Sequence, residues 1–194
     1  MDNIRYKFTD KEIKKVLDSM VVVVDSREQN NQHIIDFFNK KNIPYKVVKN
    51  DFGDYTAMIP ANTITGFTSD IYFDRDIAIE RKNSIDEICG NLKENAARLK
   101  KELAHMNMYD IKYFFFVEDP NFHENLRNGK YRSEYDPYTL MQRIKKGIEA
   151  EYGTIIVPID KRYIGSEIYY TLQAYVYNLF KHKGFILESE EENE

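Results

Sequence analysis

The feature that most constrains the fold is a series of short apolar runs of strand length, separated by segments with helical periodicity. The strand-like runs lie at residues 21–26, 45–51, 53–59, 71–82, 111–118 and 153–159. Helical spacing of apolar residues occurs in residues 9–20, 32–41, 94–108, 137–148 and 166–182, and a further helix begins near residue 84. Strands that alternate with helices indicate a three-layer α/β domain, in which helices cover both faces of a sheet.

The order of the runs also indicates a mixed sheet. The runs at 45–51, 53–59 and 71–82 follow one another without a helix between them, which is typical of antiparallel pairing. Residues 111–118 (IKYFFFVE) are apolar on both faces, as in a central strand. Residues 125–136 are polar and predict a long loop. The predicted fold class is therefore α/β, with a central mixed β-sheet flanked by helices.

Composition predicts one domain. The chain has 194 residues, of which 42% are hydrophobic, and this is enough to bury a core. We find no internal repeat and no Gly/Ser-rich or Pro-rich linker. The last seven residues, 188–194 (ESEEENE), are predicted to form a disordered acidic tail. We therefore expect a single domain over residues 1–187, including an N-terminal helix.

Cysteine content and hydropathy predict an intracellular, cytoplasmic protein. The only cysteine, Cys89, excludes an internal disulfide and a cysteine-rich zinc site. The longest aliphatic run, VVVV at 21–24, is too short to cross a bilayer, so no membrane association is expected. The formal net charge of −4 owes much to the five glutamates of the tail, and the rest of the chain is close to neutral. Net charge therefore neither favours nor excludes nucleic acid.

Three polar clusters lie at the ends of strand-like runs, and together they predict a metal site. They are DSRE at 25–28, GDY at 53–55 and ERK at 80–82, and each is commonplace alone. Cleavage of a phosphodiester needs a divalent cation, and Mg²⁺ is commonly held by one or two carboxylates and water. If the two strands are neighbours, Asp54 and Glu80 can converge on one ion, with the backbone carbonyl of Arg81 as a further ligand.

The residues around this pair have predicted supporting roles. Lys82 lies two positions from Glu80 and shares its face, so its ammonium can orient water or offset developing charge, whereas Arg81 points oppositely. Asp86 is expected to cap the next helix or to bond Lys82 or Arg81.

The DSRE segment leaves several roles open. Glu28 can extend the acidic cluster or hold a ligand water, and Asp25 can bind metal or fix Arg27. Arg27 offers its forked donors to a phosphate or to the acidic cluster itself.

The segments VVVVDSREQ, GDYTAMI and IAIERKNSIDEICGNL together resemble the nuclease domain of the XPF family of structure-specific DNA endonucleases. The family signature is GD, a spacer, then ERKxxxD, preceded by VDxRE. The resemblance implies a restriction-endonuclease-like fold, Mg²⁺-dependent cleavage with Mn²⁺ as a substitute, and branched or flapped DNA as substrate. The implied catalytic residues are Asp25, Arg27, Glu28, Asp54, Glu80, Arg81, Lys82 and Asp86.

Two departures limit the resemblance. Family members usually carry a tandem helix-hairpin-helix domain after the nuclease, and these 194 residues contain none, so substrate preference and partner are not carried over. Residues 97–99 (ARL) match the family's glycine-arginine-leucine segment except for the alanine. The match makes Arg98 a candidate DNA contact.

The candidate DNA contacts are basic residues, of which the two in the polar loop lie beside tyrosines. They are Arg27, Lys93, Arg98, Lys100, Lys101, Lys130 and Arg132. Phosphates attract the charges and splayed bases stack on rings such as Tyr131 and Tyr135, although a solvated charged helix is the alternative. The tyrosine-rich helix at 166–182 has apolar residues on more than one face, and is either core or a homodimer interface.

Other chemistries are disfavoured. The four histidines show no metal-ligand spacing, and neither GxxxxGK nor GxGxxG occurs, so no nucleotide cofactor is expected. Two hypotheses remain: a metal-dependent DNA endonuclease of repair, recombination or replication, and a non-catalytic DNA-binding or scaffold subunit. The presence of Asp54, Glu80 and Lys82 together favours the enzyme.

Overall fold

A computed structural model describes residues 6–184. The strands are β1 Val21–Asp25, β2 Tyr45–Val48, β3 Tyr55–Ile59, β4 Ile71–Tyr72, β5 Ile77–Lys82, β6 Lys112–Val117 and β7 Ile155–Pro158. The helices are α1 Asp10–Ser19, α2 Gln32–Lys41, α3 Ile85–Lys93, α4 Ala96–Met108, α5 Phe122–Arg127, α6 Pro137–Ile144 and α7 Ile164–Asn178. Helices α6 and α7 continue into π-helical segments, Lys145–Ala150 and Leu179–Lys183.

The strands form one mixed sheet in the order β2-β1-β3-β5-β6-β7, with β4 paired to β3. Strand β3 runs antiparallel to both β1 and β5. The pairs β1–β2, β5–β6 and β6–β7 are parallel. Strand β6, predicted to be central, contacts β5 on one side and β7 on the other. The predicted mixed sheet is confirmed, as is the neighbouring position of the strands that follow Asp54 and contain Glu80.

Two hydrophobic layers cover the sheet, one on each face. Helices α1, α2 and α7 pack on the first face, against residues such as Val24, Ile79 and Phe116. Helices α3, α4, α5 and α6 pack on the second face, against Ala78 and Phe115 among others. Since side chains alternate between faces along a strand, consecutive residues of β5 belong to different layers. This alternation separates Glu80 and Lys82 from Arg81.

Two segments differ from the sequence-based expectation. Part of the predicted polar loop at 125–136 is helical, because α5 extends to Arg127 and buries Phe122 and Leu126. Residues 71–82 form two strands, β4 and β5, separated by a turn at 73–76. Asp136 caps α6 through a hydrogen bond from the Thr139 N–H, as predicted.

The ends of the chain are only partly covered by the structure. Helix α1 confirms the predicted N-terminal helix, and a capping box between Thr9 and Glu12 begins it. The predicted acidic tail at 188–194 lies outside the described residues, and the single-domain boundary at 187 stays a prediction. Within residues 6–184, no helix combines the length and apolarity that a membrane span requires.

Candidate active site at the ends of β3 and β5

Asp54 and Glu80 face each other across two antiparallel strands. Tyr55 of β3 pairs with Ile79 of β5, so the residue before Tyr55 lies opposite the residue after Ile79. The Asp54 N–H donates to the Ile79 carbonyl at 2.9 Å and fixes this register. Both carboxylates point to the second face of the sheet, toward α4.

Gly53 allows the two strands to approach this closely. Its φ of +63° lies in the left-handed region that favours glycine. A Cβ at this position would lie 3.0 Å from the Ala78 Cβ and 3.1 Å from the Ile79 carbonyl oxygen. The glycine of the GD pair therefore positions Asp54 beside β5.

The main chain of β5 holds the Asp54 side chain. The Arg81 N–H donates to Asp54 Oδ2 at 2.8 Å. Burial and the nearby Glu80 charge disfavour the ionised carboxylate, and they raise the pKa of Asp54 to about 8, although the Arg81 hydrogen bond acts in the opposite direction. Two facing carboxylates with this electrostatic conflict form a site that favours a cation.

Glu80 is oriented by two donors. Lys82 Nζ lies 2.8 Å from Glu80 Oε1, and the Tyr113 hydroxyl donates to Oε2 at 3.1 Å. The Lys82 ammonium also lies 3.4 Å from Glu87 and 5.3 Å from the centre of the Phe115 ring. Burial opposes the charged form of Lys82, but Glu80 and Glu87 outweigh it and raise the pKa of Lys82. Lys82 is thus a buried cation beside the carboxylates.

A cleft of about 330 Å³ opens in front of the two carboxylates. Arg27 lines it from the loop after β1, and Arg98 lines it from the first turn of α4. Lys82 is only 5% exposed and is not among the lining residues, so it acts on the cleft through Glu80. The cleft therefore combines a paired carboxylate floor with two guanidinium groups at its walls.

Asp25 lines the same cleft and is engaged by Arg27. Arg27 bonds both of its oxygens, through the main-chain N–H, Nε and Nη2, and the Asn50 N–H also donates to Oδ2 at 3.1 Å. Burial raises the pKa of Asp25, but these hydrogen bonds prevail and lower it. Of the two roles predicted for Asp25, the structure shows the fixing of Arg27.

Glu28 and the Arg81 side chain lie in a separate cluster on the first face of the sheet. The Arg81 guanidinium is 5% exposed and contacts Glu28 at 3.0 Å and Glu118 at 3.4 Å. His33 Nε2 lies 2.6 Å from the same Glu118 oxygen. Arg81 points away from Glu80, as expected, and its side chain lies on the opposite face of the sheet from the carboxylate pair. Glu28 is likewise engaged outside the carboxylate pair.

Asp86 has a different partner from those expected. Its carboxylate accepts hydrogen bonds from the main-chain N–H groups of Arg132 and Ser133, at 2.8 and 3.0 Å, and contacts Arg132 Nε at 3.3 Å. No side-chain bond caps α3, and Glu87 rather than Asp86 contacts Lys82. The prediction that Asp86 caps α3 or binds Lys82 or Arg81 is therefore corrected. It anchors the loop before α6.

The predicted DNA contacts are spread over the second face. Arg98 pairs with Glu102 at 2.9 Å, and Lys93 lies 5.0 Å from the centre of the Tyr135 ring. Lys130 pairs with Glu124, and Lys100 pairs weakly with Glu151 at 3.5 Å. The structure brings Arg27 and Arg98 to the cleft, whereas Lys93, Lys100, Lys101, Lys130 and Arg132 do not line it.

Tyr113, Glu87 and Glu118 were not predicted as site residues. Tyr113 reaches Glu80 because it lies opposite Ala78 in the β5/β6 register, on the same face. No sequence signal marks it, since in residues 111–118 it is one of several aromatic residues. Glu118 carries a weak signal as the first charge after an apolar strand.

The donor set fits a hard divalent cation. No group of three metal-ligating His, Cys, Asp or Glu side chains occurs anywhere in residues 6–184, which supports neither Asp25 nor Glu28 as a third ligand. Mg²⁺ needs only one or two carboxylates, with water completing its shell. Backbone carbonyls alternate in direction along a strand, so the Arg81 carbonyl points to the same side of β5 as the Ile79 carbonyl, which is the side of β3. At the level of Arg81, β3 no longer covers this side, because β3 begins at Tyr55 opposite Ile79. Asp54, Glu80 and this carbonyl suit such an ion.

A mixed α/β sheet with two facing carboxylates and a buried lysine at its strand ends is the arrangement of a nuclease-type domain. The chain belongs to the ERCC4 domain family, whose model matches residues 24–174. This confirms the XPF-family resemblance inferred from the motifs.

Comparison with solved structures gives a similar chain, XPF from Aeropyrum pernix in a complex with DNA. The TM-score is 0.49 and the sequence identity is 18%, and the match covers 80% of this chain and 64% of that one. The present chain therefore spans less than two thirds of that protein chain. None of the curated proteins compared matches this chain.

Proposed function

We propose that this chain is a Mg²⁺-dependent DNA endonuclease that hydrolyses phosphodiester bonds in branched, flapped or forked DNA during repair, recombination or replication. The observation that carries the proposal is the facing pair of Asp54 and Glu80, with the pKa of Asp54 raised to about 8. A divalent cation, Mg²⁺ or Mn²⁺, relieves the repulsion between two such carboxylates. The adjoining cleft admits a phosphate beside two guanidinium groups.

Asp54, Glu80 and the Arg81 carbonyl would hold the ion. When bound, such an ion polarises the phosphoryl oxygen and lowers the pKa of a bound water. Tyr113 and Lys82 orient Glu80 by bonding its two oxygens separately. The Lys82 ammonium lies behind Glu80 rather than in the cleft lining, so its positive charge acts on the reacting group through Glu80.

Arg27 and Arg98 are the best-placed phosphate contacts. Both line the cleft, and their side chains are 62% and 77% exposed. Asp25 holds Arg27 through a bidentate contact, so its guanidinium is preorganised when DNA arrives. Arg98 would exchange its exposed contact with Glu102 for a phosphate at small cost.

One side of the tyrosine-rich α7 is exposed, and this side supports a homodimer interface. Its buried residues, Ile168, Leu172 and Val176, serve the core of this chain. Tyr170 and Tyr177 stay 62% and 40% exposed on the outer side. We expect the double variant Tyr170→Ser/Tyr177→Ser to remain folded and to shift any dimer toward monomer in light scattering.

The nuclease proposal is tested by incubating purified protein with single-stranded, duplex, flap and junction DNAs in Mg²⁺ or Mn²⁺. We expect cleavage of branched substrates that EDTA stops. Asp54→Asn and Lys82→Ala should reduce it by about a hundredfold or more while circular dichroism stays unchanged. Asp18→Asn and Lys14→Ala, which alter an exposed pair on α1, are the matched controls.

The outcomes separate the two functions. If both Asp54→Asn and Lys82→Ala cleave DNA at the wild-type rate, the assignment of the site is refuted. Binding of DNA without cleavage in either metal would instead favour a non-catalytic DNA-binding or scaffold subunit.

A further inference from the structure

One end of the cleft carries aromatic rings that the proposed chemistry does not use. Phe52 and His105 line the cleft together with Asp54 and Glu80. The Phe52 and His105 ring centres are 6.2 Å apart, and both rings lie within about 6 Å of Tyr109, at 6.0 and 5.7 Å. The three rings form one cluster, which we call the aromatic platform.

The platform continues a stripe along α4. Arg98, Glu102 and His105 all line the cleft, and Tyr109 follows four residues later at the end of the helix. These positions lie on one side of a helix, and the stripe is about 16 Å long at 1.5 Å per residue. A DNA strand that crosses the carboxylates can therefore contact Arg98 at one end and the platform at the other.

Two of the three platform rings are exposed to solvent and do not form part of the hydrophobic core. Tyr109 is 46% exposed and His105 is exposed, whereas Leu99, Leu103 and Met106 supply the buried side of α4. Only Phe52 packs partly against the second hydrophobic layer. Exposed rings beside a reactive cleft present π surface to a ligand rather than to the protein interior.

Charge around the platform suits a nucleotide. The Arg75 guanidinium lies 5.9 Å from the centre of the Tyr109 ring and is 67% exposed. Two of the nearby carboxylates are paired, Asp51 with Arg75 at 3.3 Å and Glu102 with Arg98 at 2.9 Å. Aromatic rings with an adjacent arginine are the usual means of holding single-stranded nucleic acid, with rings for bases and guanidinium for phosphate.

We propose that the aromatic platform binds an unpaired nucleobase of the strand being cut, one to three nucleotides from the scissile phosphate. Bases inside a duplex have both faces covered by their neighbours, so only a splayed base can stack on these rings. The proposal rests on the proposed endonuclease function for its geometry.

The test uses flap and fork DNAs with 2-aminopurine, a fluorescent base whose emission is quenched by stacking, placed at each position from one to three nucleotides on either side of the cut. Binding is measured in EDTA, without turnover. We compare the wild type with Tyr109→Leu and His105→Leu. Tyr72→Leu is the matched control, because Tyr72 is 40% exposed, has its ring centre 5.7 Å from the Lys46 ammonium, and lies on β4 at the opposite end of β3.

We expect quenching at one position on one side of the cut in the wild type and in Tyr72→Leu. Tyr109→Leu and His105→Leu should lose the quenching and bind about tenfold more weakly. An abasic residue at that position should weaken wild-type binding by a similar factor and leave Tyr109→Leu unaffected. Equal quenching in wild type and Tyr109→Leu, or equal sensitivity to the abasic residue, would overturn the platform.

The design separates the platform from the nuclease activity. Cleavage in Mg²⁺ without position-specific quenching would refute the platform alone. Quenching that depends on Tyr109, without cleavage by the wild type in any metal, would support the platform and refute the endonuclease proposal. The absence of any DNA binding would refute both.

Discussion

The Asp54 carboxylate accepts the main-chain N–H of Arg81 at 2.8 Å, while the Arg81 side chain reaches the opposite face of the sheet. One residue of β5 thus joins the candidate active site to the buried cluster of Glu28 and Glu118. The ERK segment consequently serves two faces: its glutamate lines the cleft with its lysine bound behind it, and its arginine holds the strand end in place on the other face.

The raised pKa of Asp54 predicts how stability depends on pH. Burial and Glu80 raise the pKa to about 8 in the folded protein, whereas the ordinary value is 3.8. Between these values the unfolded chain releases a proton that the folded protein retains, so the metal-free protein loses stability as pH rises from about 4 to 8. Asp54→Asn removes this loss. We expect its melting temperature to exceed that of the wild type by about 5 °C or more at pH 8 and by less at pH 5.

Thermal unfolding in EDTA at the two pH values measures this difference, with Asp18→Asn as the surface control. Addition of Mg²⁺ at pH 8 should then stabilise the wild type but not Asp54→Asn. A difference in melting temperature that is the same at both pH values would contradict the assigned environment of Asp54.

Removal of the Tyr113 hydroxyl is expected to weaken cation binding. Tyr113 donates to one oxygen of Glu80 and restrains its rotation. Residues that orient a metal ligand typically contribute about 10–100-fold in affinity or activity. We expect Tyr113→Phe to raise the Mg²⁺ concentration needed for half-maximal cleavage by about tenfold, with melting temperature nearly unchanged. Titration calorimetry with Mn²⁺ measures the affinity directly. Tyr6→Phe, which removes an exposed hydroxyl contact, is the control. If Tyr113→Phe binds Mn²⁺ as tightly as Tyr6→Phe does, Tyr113 has no such role.

We expect a side chain at Gly53 to destabilise the protein for two reasons, its positive φ and its close contact with β5. Comparison with Gly153 separates the two. Gly53 and Gly153 have φ of +63° and +67°, but only Gly53 has atoms near the position of a Cβ. We expect Gly153→Ala to cost about 1 kcal/mol from backbone strain alone. Gly53→Ala should cost a further 1–3 kcal/mol, roughly, and should lower cleavage at least tenfold because Asp54 is displaced. Urea unfolding of both variants measures the difference, and equal costs would show that β3 can move away from β5.

Asp86 is predicted to act on structure rather than on the reacting atoms. Asp86→Ala leaves the N–H groups of Arg132 and Ser133 without their acceptor. We expect a loss of about 1–2 kcal/mol in the free energy of unfolding and faster amide hydrogen exchange at these two residues. Glu124→Ala, which breaks the exposed pair with Lys130, should leave the free energy of unfolding nearly unchanged. Loss of cleavage with unchanged exchange would indicate a direct catalytic role for Asp86 instead.

The sequence by itself determined the alternation of strands and helices, the mixed sheet and the identity of Asp54, Glu80 and Lys82 as a group. These features depend on local periodicity: Glu80 and Lys82 share a face because they are two residues apart on a strand. The left-handed conformation at Gly53 is also a local preference, because glycine adopts it without steric cost. Family membership followed from the same short motifs.

Only the tertiary structure decided which partners these residues have. Tyr113 reaches Glu80 through the register of β5 against β6, and Glu118 meets Arg81 through the same pairing on the other face. Asp86 binds Arg132 across 46 residues of chain, and the aromatic platform forms where α4 packs beside Phe52. Such contacts depend on strand register and on how helices pack on the sheet. Both are set by the balance of the whole core, which no local pattern in the chain records.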